Sequence, residues 1–414
     1  MMRRFYLLIY MAAIAGLLSS CVKEELEYGC TKVEEGLPAH VVLNYKVQRR
    51  DVVTRAAQAS RYEYRVENIY VFIFDGVGQL HYNHLFTNDF NPNNGEEAAN
   101  GTLQLETQSL NNATIVGIAN VTTATTSTAY AVTKDDLDAI GTLDDLQAYV
   151  MKLSDNDKTS IGRSALFMMT GYAKDGDGNT VVTIPGTEGN TPATLDCTLE
   201  LERTDAKVTF NVVSEQREAS WTNFSFTPKL WSIHEVPQQT LLLPAETGDA
   251  DGEDCTYFDS TPLQFEELTE DETTNLTTGG SFVFYMPENR KTPKKQAENY
   301  AQRDDSNTTT EGVDSGKEGQ EYVNTDFAYA NDHSTYAVLT GTVSYMDGTR
   351  AVNAEVRYII HLGNASDANP NDYDTKRNVH YTYTVRVRGV NDIVVEVEDG
   401  NEVRPGHEGD VVYS

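Results

Sequence analysis

The chain has 414 residues and a formal net charge of −31, from 63 acidic against 32 basic residues. A surface this acidic repels polyanions and so excludes nucleic acid and anionic lipid as partners. With 23 Tyr and 9% aromatic residues it is also too rich in ring side chains for a disordered acidic chain. The length predicts two domains behind a leader.

The leader is read at the N-terminus. Met1–Arg4 is basic, Phe5–Leu18 is apolar, and Leu18-Ser19-Ser20-Cys21 closes the run. A basic start, a short apolar stretch and small residues before the processing point are the pattern of a secretory signal. The stretch is shorter than the roughly 20 residues that span a bilayer. The LSSC string resembles the lipobox of bacterial lipoproteins, which implies that residues 1–21 form the signal and that Cys21 is lipidated. Acyl chains add about 0.8 kcal/mol per buried methylene, so two or three anchor a protein firmly. Lys23-Glu24-Glu25 resembles the export tag of surface lipoproteins, and Val22 is not the Asp of inner-membrane retention. Beyond Cys21 remain Cys30, Cys197 and Cys255, without CxxC spacing. Cys197 and Cys255 either pair or stay as buried thiols.

From His40 onward the chain reads in period two, the mark of strands. Val41, Leu43, Tyr45 and Val47 fall on one face of the first strand. An irregular basic stretch, residues 48–65, follows and holds Arg49, Arg50, Arg55 and Arg61. The unbroken apolar runs at Asn68–Asp75 and Ala113–Val121 predict strands covered on both faces. Between Thr133 and Leu153 the period changes. Thr133 with Asp136 and Thr142 with Asp145 form capping-box-like pairs ahead of Leu137, Ile140, Leu143, Leu146 and Val150, which predicts two short surface helices.

Strands resume at Leu166, at Thr180, across Thr194–Val213 and at Ser281–Pro287. Residues 290–332 are polar throughout and predict a mobile surface loop that buries no core. The C-terminal part is again strand: Thr335–Tyr345, Ala354–Gly363, Val379–Gly389 and Ile393–Glu398. In the last of these Ile393, Val395 and Val397 share one face, and no partner within its own domain is evident from the sequence. Strands at this spacing predict an all-β chain of two antiparallel sandwiches in series, with a small helical insertion in the first and a junction near Arg203. The corresponding segments are 56–205, 206–390 and a tail at 391–414.

Motifs for catalysis are absent: the sequence holds no GxSxG, HExxH, Walker loop or strand-linked GxGxxG. Asp175-Gly176-Asp177-Gly178-Asn179 begins like a calcium loop, but Thr180 stands where that loop needs Gly and Gly186 where it needs Glu, so a hairpin turn is expected. The acidic run Asp249–Asp254 reads as solvated loop charge. Neither a cofactor, a metal nor an enzymatic activity is expected. Trp221 and Trp231 lie in strand-like runs and are assigned to packing rather than to an exposed sugar platform.

The strings VENIYVFIFDGVGQL, TIVGIANV, ELERTDAKVTF and FYMPEN, and above all YIIHLGNASDANPNDYDTKRNVHYTYTVRVRG, resemble the bacteroidal fimbrillins, the subunits of type V pili. They occur in family order from about Ile69 to Gly389. The resemblance implies transthyretin-like sandwiches, export as a lipoprotein to the cell outer membrane, and trimming by an Arg-specific surface protease. It further implies that the trimmed piece carries the first strand, and that the C-terminal strand of a neighbouring fimbrial subunit fills the opened groove by β-augmentation. Residues 22–55 are then a propeptide cut between Arg55 and Ala56, Val41, Leu43, Tyr45 and Val47 are the displaced strand, and Ile393, Val395 and Val397 are the donor strand. Two alternatives stand beside this: an anchor subunit that keeps its lipid, and a monomeric surface lipoprotein that binds glycan.

Overall fold

Ile69–Phe74 is a run in which every residue is β-branched or aromatic, and all six side chains are buried. Alternation sends Ile69, Val71 and Ile73 into one core and Tyr70, Phe72 and Phe74 into another, so this strand has apolar cover on both faces. The computed structural model describes residues 32–48, 63–87, 90, 99–163, 166–187, 191–245, 252, 254–267, 279–305, 326–366 and 368–399.

The strands of the first half are β1 (Pro38–Val47), β2 (Ile69–Phe74), β3 (Leu80–Phe86), β4 (Asn100–Gln108), β5 (Leu110–Ala119), β6 (Val150–Lys152), β7 (Met169–Lys174), β8 (Val181–Ile184) and β9 (Ala193–Arg203). Eight of them form one sheet in the order β3-β2-β5-β7-β9-β1-β4, with β8 also beside β5. Val41, Leu43, Leu103, Leu105, Leu199 and Leu201 from β1, β4 and β9 share a core with Ile69, Val71 and Ile115 from β2 and β5. The sheet therefore closes over itself as a sandwich.

The outer face of β2 and β5 is covered by residues 121–161, which include helices α1 (Lys134–Asp138) and α2 (Leu143–Gln147). Both helices begin as their caps dictate. The Thr133 hydroxyl accepts from the Asp136 amide at 3.3 Å, and the Asp136 carboxylate accepts from the Thr133 amide at 2.8 Å. Thr142 caps α2 through the Asp145 amide at 3.1 Å. Leu137 and Leu146 are fully buried beneath them, and the Tyr70 hydroxyl donates to Asp138 at 2.6 Å.

Two expectations fail here. The helical stripe does not reach Val150, because the backbone there pairs with Gln239–Leu241 in a two-stranded ribbon and the Leu242 amide takes the Tyr149 carbonyl. A tertiary partner thus claims the groups that another helical turn would use. The strand expected from Leu166 begins at Met169, with Leu166 in an isolated bridge to Thr128. The Asp175–Asn179 segment is a hairpin turn in which the Asp175 carboxylate accepts from the Asp177 and Asn179 amides, both at 2.9 Å. Asp75–Gln79 repeats this turn.

Past Thr204 follow β10 (Asp205–Ser214), β11 (Trp221–His234), β12 (Val236–Pro237), β13 (Gln239–Leu241), β14 (Tyr257–Phe258), β15 (Leu263–Gln264), β16 (Glu266–Glu267), β17 (Gly279–Pro287), β18 (Tyr336–Asp347), β19 (Arg350–His361), β20 (His380–Gly389) and β21 (Asp392–Asp399). They build a five-stranded sheet, β16-β17-β10-β20-β21, and a four-stranded one, β15-β11-β18-β19. Between the two, Phe210 stacks on Phe282 and on Tyr383 at 4.8 and 4.5 Å, and Trp231 stacks on Phe282 at 4.0 Å. Trp221 is half-buried and lies 4.0 Å from the Tyr345 ring.

The polar stretch 290–332 does bury a core in its described part. Phe327 and Ala330 join Tyr336 and Tyr373 in a third apolar cluster. Arg303 is fully buried, donating to the Leu362 and Asp372 carbonyls at 3.0 and 2.8 Å beneath the Tyr373 ring. Two carbonyl acceptors at Nη2 and a π face offset part of the cost of burying a charge that composition alone assigns to solvent. Cys197 and Cys255 form no disulfide; burial, then Asp175 and Asp196, pushes the Cys197 thiol up to about 11.

Candidate functional site

Strand β1 lies inside its sheet, antiparallel to β4 and parallel to β9. Val41 and Leu43 are fully buried, and Tyr45 and Val47 nearly so, facing Leu103 and Leu105 of β4 and Leu199 and Leu201 of β9. On the outer face Asn44 accepts from the Thr102 hydroxyl at 2.8 Å and Lys46 pairs with Glu200 at 2.9 Å. Lys174 and Lys46 together hold the Glu200 carboxyl down at about 2. The same pairing scheme recurs after Thr204, where β10 is antiparallel to β17 and parallel to β20. That strand is joined to β9 through Thr204 alone, whereas β1 is joined to β2 by more than twenty residues.

The leading end of β1 is held by its backbone. Ser109, fully buried between β4 and β5, accepts from the Leu37 amide at 3.0 Å and donates to the Glu34 carbonyl at 2.6 Å. Asn111 accepts from the Val33 amide and donates to the Val33 carbonyl, each at 2.9 Å, and its own amide donates to Glu35 at 3.0 Å. The Asn111 backbone and side-chain contacts hold the Glu35 carboxyl below its ordinary range.

At the far end the Gln48 amide donates to the Leu201 carbonyl at 2.8 Å. The chain is described again at Glu63, whose carboxylate meets Arg203 at 2.5 Å, Lys207 at 2.9 Å and the Tyr285 hydroxyl at 2.7 Å. Burial alone would raise the Glu63 carboxyl, but the Arg203 and Lys207 charges outweigh it and hold it below its ordinary range. Gln48 and Glu63, on either side of residues 49–62, therefore both sit at the same end of β9. Cys21, Arg55 and Ala56 all lie outside the described residues.

Ile393, Val395 and Val397 sit on β21, which the sequence left without a partner. The structure pairs β21 antiparallel with β20, with Val385 opposite Val395 and Tyr383 opposite Val397. The three side chains are partly buried against the second core, and Arg386 binds Glu396 at 2.8 Å. The hairpin turn at Val390–Asn391 is short enough to fold back at once, and this local pairing takes up one edge of the strand. Among the described residues its other edge is the end of the sheet and pairs with no strand.

Sequence reasoning did not find Ser109, Asn111 or Glu63. Ser109 and Asn111 belong to no motif in the sequence, and Glu63 falls within the irregular basic stretch 48–65. The one available signal was Tyr64 and Val66, whose alternation with Glu63 and Arg65 foretells a chain already entering the core. Among the described residues no group of His, Cys, Asp or Glu is placed to hold a metal ion.

An all-β chain of stacked sheets, with its first strand held between an antiparallel and a parallel neighbour, defines the class of protein. The sequence model of the family described as "Major fimbrial subunit protein (FimA)" matches residues 39–203, from the second residue of β1 to the last of β9. Over that segment the chain is similar to the fimbrillin family. No curated protein matches the chain. Among solved structures, a candidate cell adhesion protein from Parabacteroides distasonis is similar with a TM-score of 0.50 and 14% identity, over 89% of this chain and 99% of that one. The tip fimbrial protein Mfa3 from Porphyromonas gingivalis, with a C-terminal truncation, is similar with a TM-score of 0.49 and 13% identity, over 87% and 99% of the two chains.

Proposed function

We propose that the chain is a structural subunit of a cell-surface fimbrium, exported as a lipoprotein through Cys21 and matured by an Arg-specific protease that cuts after Arg55. Cutting detaches the segment that carries β1, and a strand from a neighbouring subunit takes its place between β4 and β9. The observation that carries this reading is the convergence of Gln48 and Glu63 on the end of β9. A cut anywhere between them severs β1 from the chain while the Glu63 contacts keep the new N-terminal stretch docked. Vacating β1 exposes the ladder edges of two strands and an apolar trough, the substrate for β-augmentation. The role is structural, and no reaction is assigned to it.

The test is N-terminal sequencing, with electron microscopy, of material sheared from cells that produce the protein. Fibres whose subunits begin at Ala56 are expected; fibres whose subunits begin at Cys21 would overturn the trimming step.

A second reading, an anchor that keeps its lipid and its first strand, draws on β21. With Ile393, Val395 and Val397 packed in their own sheet, donation would require peeling β21 from β20. Acyl label retained on subunits at the fibre base would favour this reading.

A further inference from the structure

The place filled by β1 has two features that read an occupant differently. At the leading end the Ser109 and Asn111 side chains bond main-chain groups, those of Val33, Glu34 and Leu37, apart from the Glu35 carboxylate. Backbone bonds accept almost any sequence, but they fix where a strand starts and which way it runs. Eight residues beyond Leu37 lies the second feature. Tyr45 stands opposite Gly101 of β4, and a Cβ at Gly101 would lie 2.5 Å from the Tyr45 hydroxyl and 2.7 Å from its ring. Glycine here opens a notch in the trough wall, and the Tyr45 ring fills it, with the Phe90 ring 5.6 Å away. A smaller side chain at that register leaves a void in the core, and such voids are costly.

The geometry points to selectivity in the incoming strand: the trough takes an extended segment whose backbone engages Ser109 and Asn111 and which presents an aromatic side chain eight residues after the Leu37 position. Its polarity is that of β1, parallel to β9. The inward residues of β21 are Ile393, Val395 and Val397, none of them aromatic. The fitting partner is therefore a strand of a different subunit rather than β21 of a second copy. This inference rests on the strand-exchange reading and adds the identity class of the strand.

The full-length chain is cut with an Arg-specific protease, and fluorescent synthetic peptides are tested for displacing the cut segment. The reference peptide has the sequence of residues 33–48. Changing the Tyr45 position to Ala, or omitting residues 33–37, should weaken capture by at least about tenfold, the scale expected for losing a buried ring or a set of buried hydrogen bonds. Tyr45→Phe and the outward-facing Val42→Ala should bind within about threefold of the reference. A peptide with the sequence of residues 390–400 should bind at least about tenfold more weakly than the reference. Equal capture of the reference and the Tyr45→Ala peptide would overturn the selectivity while leaving strand exchange intact. Capture of none of the peptides, the reference included, would overturn strand exchange and the selectivity with it. Since the changes lie in the peptides, the folding of the protein is the same in every arm.

Discussion

Glu63 and Arg203 form an ion pair at 2.5 Å with both side chains wholly removed from solvent. Lys207 joins the same carboxylate, so one negative and two positive groups lie together where the first sheet meets the second. Removing one member of such a group strands the rest without water, which costs about 3–5 kcal/mol. Glu63→Gln should therefore lower the unfolding free energy by that order in urea denaturation, whereas a change at the exposed Glu218 should move it by less than about 0.5 kcal/mol. A shift for Glu63→Gln as small as that of the surface control would show that the pair does not secure the chain after β1.

The same junction makes stability sensitive to acid. His380 is almost fully buried, its ring 2.9 Å from the Thr209 hydroxyl. Burial first, then the Lys207 and Arg203 charges, pushes its imidazole from 6.5 down to about 4, against the opposing pull of Glu63. In the window between those values the unfolded chain binds the extra proton and the folded chain does not. This contribution to stability is thus fully present above 6.5 and is lost as the pH falls towards 4, up to about 3 kcal/mol. His380→Gln should flatten the dependence when denaturation midpoints are compared at pH 7 and pH 4.5. An unchanged slope would assign the acid sensitivity to other groups.

Where sequence and structure agree, local chemistry decides. Ile69–Phe74 admits little besides a covered strand, and Thr133 and Thr142 start helices because their hydroxyls meet amides three residues on. Where they part, distant groups decide. Val150 is drawn into a ribbon by Gln239–Leu241, and Arg303 is buried because Leu362 and Asp372 offer carbonyls. The site follows the same rule. The alternation of Val41, Leu43, Tyr45 and Val47 was legible, but Ser109 and Asn111, which hold the strand's leading end, and Glu63, which docks the chain after it, are matched to partners at least fifty positions away, which the local sequence does not name.

Cys21→Ala should abolish incorporation of radiolabelled fatty acid and leave an unprocessed precursor, detected as a larger band by immunoblot. The expectation comes from the LSSC string behind a basic and apolar leader. Incorporation at the wild-type level in Cys21→Ala would remove the lipoprotein assignment.

Maturation is expected between Arg55 and Ala56. Val52-Val53-Thr54-Arg55-Ala56-Ala57 places two small residues after the arginine, leaving the far side of a protease cleft unhindered. The site lies beyond Gln48, which follows β1 and is hydrogen-bonded to β9, so the cut frees the whole of β1. It also lies ahead of Glu63, whose buried contacts hold the remaining chain in place, and Arg61 offers less slack before that point than Arg55 does. Removing residues 1–55 takes away 8 basic and 6 acidic residues and moves the net charge from −31 to −33, so maturation acts through the vacated strand site rather than through electrostatics. Brief digestion of the purified precursor with an Arg-specific protease should give a major product that begins at Ala56 and captures the peptide of residues 33–48. Arg55→Ala should lose that product and, if the cut shifts to Arg61, capture the peptide more slowly. A digest of Arg55→Ala that yields the wild-type capture rate would show that Arg55 is not the residue that releases β1.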